Sequence, residues 1–501
     1  FNHAQTRVES RLVKISPYKI FSEAMKSEFL SHKDKHIAVV GGGVAGATAA
    51  IHFAELGFKV SVIEKGVSLV NGPPICHLHA GGNLYREISE QQCLDLLTQS
   101  IDTIRLYPHS LNIRPTIIAV PHSDGGDPFA LLPRLEVIKS AYQALVDKDE
   151  HNKVLGEPEE YFKLYSKEEL QELAKQNQPE HPSTFDEWSI PFAQHADLEQ
   201  LKYPVVAVQE YGWSVFRLAA IANLTLAKLA NSNVITQATL NQADWLGDHW
   251  QLTYEHNGVN CLLTCDYLVN ACGFETGTID NAVGAKRDRL VEFKAAYVTK
   301  WNECNQQWPE VIFHGPRGTD KGMAQLTPYG DGYFQLHGMT KEITLFEDGL
   351  VESTALSAQP ELPVPLLSKI RSGWREEILG ERTHNAIQHM AQFIPDYKTA
   401  EKGGKALFGA QQIPGTDPVL RAADVSFEQN HYARIEVVKA SSTLLAAQKM
   451  LQYWFDITPQ HNVEAQHPVT VNWSEDEIEQ YAIKLTEERG YPHALAERYG
   501  M

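Results

Sequence analysis

HIAVVGGGVAGATAAIHFAELGFKVSVIEK, residues 36–65, decides the fold. His36–Val40 is a short apolar run rich in β-branched residues, as a buried parallel strand requires. Gly41, Gly43 and Gly46 follow as G-x-G-x-x-G. In that pattern the first glycine allows a tight turn. The second lets backbone N–H groups, here with Val44 and Ala45, approach a pyrophosphate, and the third lets helix and strand pack closely. The spacing predicts a helix over 45–56 with its positive dipole end toward the phosphates, then a second strand, Lys59–Ile63. Glu64 ends that strand 23 residues after Gly41, where a carboxylate reaches a ribose hydroxyl, and Lys65 adjoins it. A bare glycine triplet occurs in many loops. Strand, turn, helix, strand and acid in this order point to a bound dinucleotide. Glycines and polar residues in the first half of 37–56 argue against a membrane helix there.

Outward from this stretch, 501 residues predict a large core and two domains. A formal net charge of −19 argues against nucleic acid as a partner. Six cysteines with no C-x-x-C pair predict neither a disulfide framework nor a metal site. A reducing, cytoplasmic setting is the expectation. Residues 1–35 carry seven Lys/Arg against four Asp/Glu. That excess suits either peripheral contact with the inner face of an anionic membrane or a solvated arm packed on the domain.

Periodicity predicts helices over 94–106, 133–145, 215–229, 368–393 and 441–454, the last capped by Ser441, Ser442 and Thr443. Capping-box patterns fall at Ser166/Glu169 and Ser474/Glu477. Residues 176–187 read as a polar surface loop. Strands are predicted over 233–240, 250–255 and 405–409. Another runs over 262–273 and ends in the small residues Ala271, Cys272 and Gly273, which let backbone approach a ligand. Alternation over 289–344 predicts an antiparallel sheet.

Four segments then fit one family. Residues 36–65 resemble the amino-terminal ADP-binding unit of the D-amino-acid-oxidase-like FAD oxidoreductases. DYLVNACGFETG (266–277) resembles that family's second flavin strand, usually V-N-A-x-G. EYGWSVFRLAAIANL (210–224) resembles its E-x-G-x-x-x-P-x-x-L helix, and FGAQQIPGTDPVLRAAD (408–424) its late G-x-R-P-x-x-x-D-x-x-P segment. The resemblance implies FAD as cofactor and an α/β fold, a doubly wound Rossmann-like FAD domain with an inserted antiparallel-sheet (α+β) substrate domain. The implied FAD domain is discontinuous, 36–120, 205–285 and 400–456. The substrate domain is 121–204 and 286–399, flanked by an arm (1–35) and a helical tail (457–501). The implied activity is hydride transfer from a small amine or 2-hydroxy acid to flavin N5, with reoxidation by oxygen, a quinone or another acceptor. A malate:quinone-like dehydrogenase at a membrane surface, and a flavin-bearing interaction module without turnover, are the alternatives.

The resemblance also implies a site. Ala440, Ser441, Ser442 and Thr443, with Lys439, are implied at the flavin's pyrimidine edge, and Gly409 at the ring. CHLHAGGN (76–83) resembles both the W-H-A-A-G of dimethylglycine and sarcosine dehydrogenases and the H-A-G of the hydroxyacid branch. It implies His79, Ala80 and Gly81 at the flavin and leaves covalent attachment open. TPYGDGYFQLHGMTKE (327–342) resembles a hairpin over the flavin face. Tyr333 and His337 share one side of it by period two, and His337 is implied as proton acceptor. The family's late arginine aligns with Gln411 and its proline with Gln412. An amide lacks the charged fork that a carboxylate prefers, which leaves Arg421, Arg317 or Lys341 to hold one.

Overall fold

The computed structural model describes residue 32 and residues 34–72, 84–458 and 462–500. The opening stretch forms the expected β-α-β unit: strand His36–Val40, helix Val44–Glu55, strand Lys59–Ile63. The first strand lies parallel between Lys59–Ile63 and Tyr267–Asn270. The full six-stranded order is Val425–Glu428, Tyr432–Ile435, Tyr267–Asn270, His36–Val40, Lys59–Ile63, Ser232–Ile235. Only the Val425–Glu428 edge is antiparallel. Small residues let helices Val44–Glu55 and Thr443–Phe455 meet. Ala47, Ala50, Ala446 and Ala447 are all fully buried in one core.

A nine-stranded sheet stands against this unit. Arg289–Lys300 is central to it, pairing antiparallel with Tyr333–Gly338, Leu350–Glu352 and Glu401–Pro414. Thr116–Pro121, Leu201–Val208 and Phe162–Tyr165 extend the far side. The sheet is not wholly antiparallel, because Glu310–Phe313 runs parallel to Thr116–Pro121. Thr116–Pro121 and Glu401–Pro414 thus belong to this sheet and not to the six-stranded one.

Several local expectations are corrected. Residues 176–187 are not all loop: helix Phe185–His195 begins there behind a Thr184/Glu187 capping box, and Pro191 inside it masked the pattern. The run 262–273 is two strands in two sheets, Val259–Cys265 and Tyr267–Asn270. The break at Asp266 has a cause, since its carboxylate accepts from His36 N at 2.8 Å and Lys35 Nζ at 3.0 Å. Residues 233–240 divide at Gln237, whose φ is 52°. The helix expected over 368–393 is two, Val364–Ser372 and Glu376–Ala391, parted at Gly373 with φ 86°. Ser441, Ser442 and Thr443 do not cap. Ser442 Oγ instead donates to Gln99 Oε1 at 2.5 Å, and Thr443 Oγ1 lies 3.3 Å from Thr48 Oγ1. The capping boxes at Ser166/Glu169 and Ser474/Glu477 form as expected.

Candidate active site

A cavity of about 410 Å³ lies between the glycine turn and the nine-stranded sheet. Its floor is built by two helix starts. Gly43, Val44 and Ala45 open the first helix, and Ala440 and Thr443 open the Thr443–Phe455 helix. Neither start carries a side-chain cap, and the first turn of Val44–Glu55 holds no acid. Both therefore present a positive dipole end and uncapped N–H groups to the cavity.

The glycines differ in what they do. Gly41 has φ 95°, and a Cβ there would stand 2.4 Å from Ala271 O. A Cβ on Gly46 would stand 1.8 Å from Gly41 O, so strand and helix could not close. Gly43 has an ordinary extended backbone, φ −64°, and nothing lies within 4 Å of where its Cβ would be. Neither strain nor protein packing requires a glycine at 43. The open space in front of it is a cradle that would admit a phosphate and that a side chain would narrow. Gly409, on the opposite wall, is open in the same way. The residues present therefore fit an FAD: Gly43, Val44 and Ala45 would hold its diphosphate, and Ala440, Thr443 and Gly409 would flank its ring.

The roof is the polar side of the nine-stranded sheet. Register places Lys294 beside Gly409, Glu292 beside Gln411, and Gln325 beside His337. Lys294 Nζ reaches Glu292 Oε2 at 2.7 Å and Gln411 Oε1 at 3.1 Å. Arg317 forms an ion pair with the other oxygen of Glu292. Burial pushes the Lys294 ammonium down to about 8, against the pull of Glu292. Burial works to raise the Glu292 carboxyl, and Lys294 and Arg317 more than offset it, leaving it below its ordinary range. Arg421 is 7 % exposed; one of its nitrogens donates to Pro418 O at 2.9 Å and Leu420 O at 2.7 Å. Burial, then the neighbouring Arg317 charge, lowers its pKa. Among the described residues, four basic side chains (Lys294, Arg317, Arg421, Lys439) line this cavity, with Glu87 the one acid beside them and Glu292 directly behind.

The structure brings most of the expected residues together. Gly43, Val44, Ala45, Ala271, Gly273, Gly409, Gln411, Arg421, Arg317, His337, Ala440 and Thr443 line the cavity. His337 is buried, with Nδ1 3.2 Å from Gln335 Nε2. Gln411 is engaged at both ends of its amide, accepting from Lys294 and donating to Val438 O at 2.7 Å. Glu64 accepts from Gly42 N and Gly66 N, each at 2.5 Å, which holds it at the end of its strand. Lys65 pairs with Glu275. Cys272 sits behind the wall, Sγ 3.3 Å from Val40 O, and burial pushes its thiol up. Ser441 and Ser442 are buried beneath the floor. Tyr333 shares a sheet side with His337, yet lies at the strand's other end, outside the cavity, under Lys300 Nζ at 4.4 Å from its ring. Lys341 is also outside, paired with Glu347 at 2.6 Å. His77, His79, Ala80 and Gly81 lie outside the described residues. Sequence reasoning missed Lys294 and Glu292. Their signal was two opposite charges on alternate positions of a strand whose neighbours Phe293 and Ala295 are apolar.

Glycine turn, uncapped helix starts and a polar sheet over them define a flavin-dependent oxidoreductase. The family model for FAD dependent oxidoreductases, DAO, matches residues 36–433, and the chain belongs to that family. Its cofactor is therefore FAD. In fold it is similar to L-amino acid deaminase from Proteus vulgaris, with TM-score 0.55 and 12% identity over 86% of this chain and 96% of that one. It is also similar to glycerol-3-phosphate dehydrogenase from Bacillus halodurans complexed with FAD, with TM-score 0.53 and 11% identity over 95% of this chain and 84% of that one. Thiamine thiazole synthase from Methanosarcina mazei is 40% identical over 73 residues, 15% of this chain. The chain spans 26% of the length of that curated relative. Among the described residues no helix is long and apolar enough to cross a membrane.

Proposed function

We propose that the chain oxidises the C–H bond beside an amine or hydroxyl on a 2-amino or 2-hydroxy acid. The observation that carries this is the surplus of positive charge opposite the flavin cradle. Buried Arg421 and the more exposed Arg317 face the cavity, two guanidinium groups that repel each other, and an incoming carboxylate relieves that repulsion. FAD, when bound, supplies the two-electron acceptor. The chain's residues do the rest. Arg421 and Arg317 take the carboxylate and would orient the Cα–H toward the Gly409 and Ala440–Thr443 side of the cavity. His337 accepts the proton that leaves the amine or hydroxyl, so that hydride and proton together account for the two hydrogens lost. Lys294, ammonium at neutral pH, and the two helix starts hold the site positive where negative charge develops. The product is the imino or oxo acid, and the electrons pass finally to oxygen, a quinone or another acceptor. Anaerobic bleaching of the holoprotein tests this, with 2-amino acids, 2-hydroxy acids and their decarboxylated analogues side by side. Bleaching by the acids and not by the analogues is the expected result. Equal bleaching by both would sink the carboxylate anchor.

A further inference from the structure

A second cavity of about 350 Å³ adjoins the first, and the two share Glu87, Arg317 and Arg421 in their walls. Glu292 and Lys341 add charge to its lining, but Ile88, Leu345, Phe346, Leu350, Pro418 and Val419 make the rest of it largely apolar. Two of these are conspicuous on energetic grounds. Leu350 is 47 % exposed and Val419 52 %, large apolar surface left in water at one mouth. Leu350 is the register partner of Glu292, so it continues the side of the sheet that roofs the inner cavity. Phe346 is held in place from behind, with the Arg382 guanidinium 3.8 Å from its ring centroid and Phe293 edge-on at 5.0 Å. This wall is preformed.

We propose that the outer cavity is the side-chain subsite of the substrate, and that the acid oxidised carries a long aliphatic or aromatic group. The inference rests on the carboxylate anchor proposed above. With the carboxylate at Arg317 and Arg421, on the shared wall, the reacting carbon lies inward. A large apolar side chain then extends outward over Leu345, Phe346, Leu350 and Val419. A short polar acid fills only the inner cavity and leaves that apolar lining wet.

Unreactive carboxylates separate binding from turnover. Acetate, butanoate, hexanoate and 4-phenylbutanoate are titrated into holoprotein, and affinity is read from perturbation of the flavin spectrum and from thermal shift. Affinity should rise along the aliphatic series by about fourfold per methylene buried, with the phenyl acid among the tightest. The double variant L350Q/V419S, at two surface positions away from the flavin, should bind acetate as the parent does and lose most of the gain for the longer acids. A flat series in the parent overturns the proposal, and so does a slope that survives in the double variant. Absence of binding by every carboxylate would overturn the anchor itself, and with it both readings.

Discussion

Lys294 Nζ lies 2.7 Å from Glu292 Oε2, on successive inward positions of one strand. Burial draws the lysine down to about 8 from its ordinary 10.5. Folded, it loses its proton near pH 8; unfolded, it keeps it to above pH 10. The group therefore costs stability below about pH 8, and that cost fades between pH 8 and 10.5. Function moves the other way, because the cavity loses a cation over the same rise. Binding of a simple carboxylate should weaken about tenfold between pH 7 and pH 9.5, the worth of one charge-assisted contact. Lys294→Arg, charged throughout, should flatten that profile. A flavin-perturbation titration at four pH values reads it, and a parent profile already flat would remove Lys294 from the account.

The two glycines of the turn should fail in different ways. Gly46→Ala puts a methyl 1.8 Å from Gly41 O inside the β-α-β unit, where backbone cannot yield, so little folded protein is expected. Gly43→Ala meets no protein atom within 4 Å and no forbidden φ. It should fold and melt like the parent apoprotein while binding FAD at least about tenfold more weakly. Circular dichroism with FAD titration by fluorescence quenching distinguishes the two. Normal FAD affinity in Gly43→Ala would mean that the diphosphate lies elsewhere.

How much of this was legible follows from range. The β-α-β unit reads directly, because strand period, turn glycines and helix start all lie within 30 residues. The capping boxes at Ser166 and Ser474 read for the same reason. The pairing of Lys294 with Gly409 does not, since it joins residues 115 apart through a register that no local pattern encodes. Tyr333 shows the limit from the other side. Period two placed it correctly on the side of His337, but four residues of strand carry it to the sheet's end, under Lys300. The break at Asp266 was hidden because both halves are apolar. Only the hydrogen bonds to His36 and Lys35 reveal that the chain changes sheets there.

Asp280 joins the two sheets. One oxygen accepts from Arg434 Nε at 2.5 Å and Tyr432 Oη at 2.7 Å, the other pairs with Arg289, and all three charged side chains are fully buried. Removing the carboxylate leaves two guanidinium groups with, among the described residues, Glu428 and Glu436 as their remaining acidic partners. Asp280→Ala should therefore destabilise by about 3–5 kcal/mol. Asp280→Asn keeps acceptor oxygen but no charge and should also lose stability. Urea melts give the difference, and a loss below 1 kcal/mol in both variants would show that the cluster is solvated.

The carboxy-terminal segment docks on the first helix through side chains that titrate in opposite senses. Glu55 accepts from Val469 N at 2.5 Å and also bonds Thr470 Oγ1, and burial raises its carboxyl to about 7. One turn away His52 Nδ1 lies 2.9 Å from His467 Nε2, both rings fully buried. Burial holds His52 well below its ordinary value and His467 down to about 4. A raised acid favours the folded chain while protonated, so the Glu55 contribution is complete below about 4.5 and is lost as pH rises through 7. Depressed histidines favour the folded chain while neutral, so their contribution is present above 6.5 and is lost as pH falls toward 4. The two windows overlap between about pH 4.5 and 6.5, so the opposing slopes offset each other in the parent, the histidines supplying an acid limb and Glu55 a limb that runs toward pH 7 and then levels. Glu55→Gln, which imitates the protonated acid, should raise the alkaline limb and leave the acid limb in place. The double variant H52L/H467L should do the reverse. Thermal melts of apoprotein across pH 5–8.5 measure both limbs, and identical profiles in parent and variants would show that this clamp does not control unfolding.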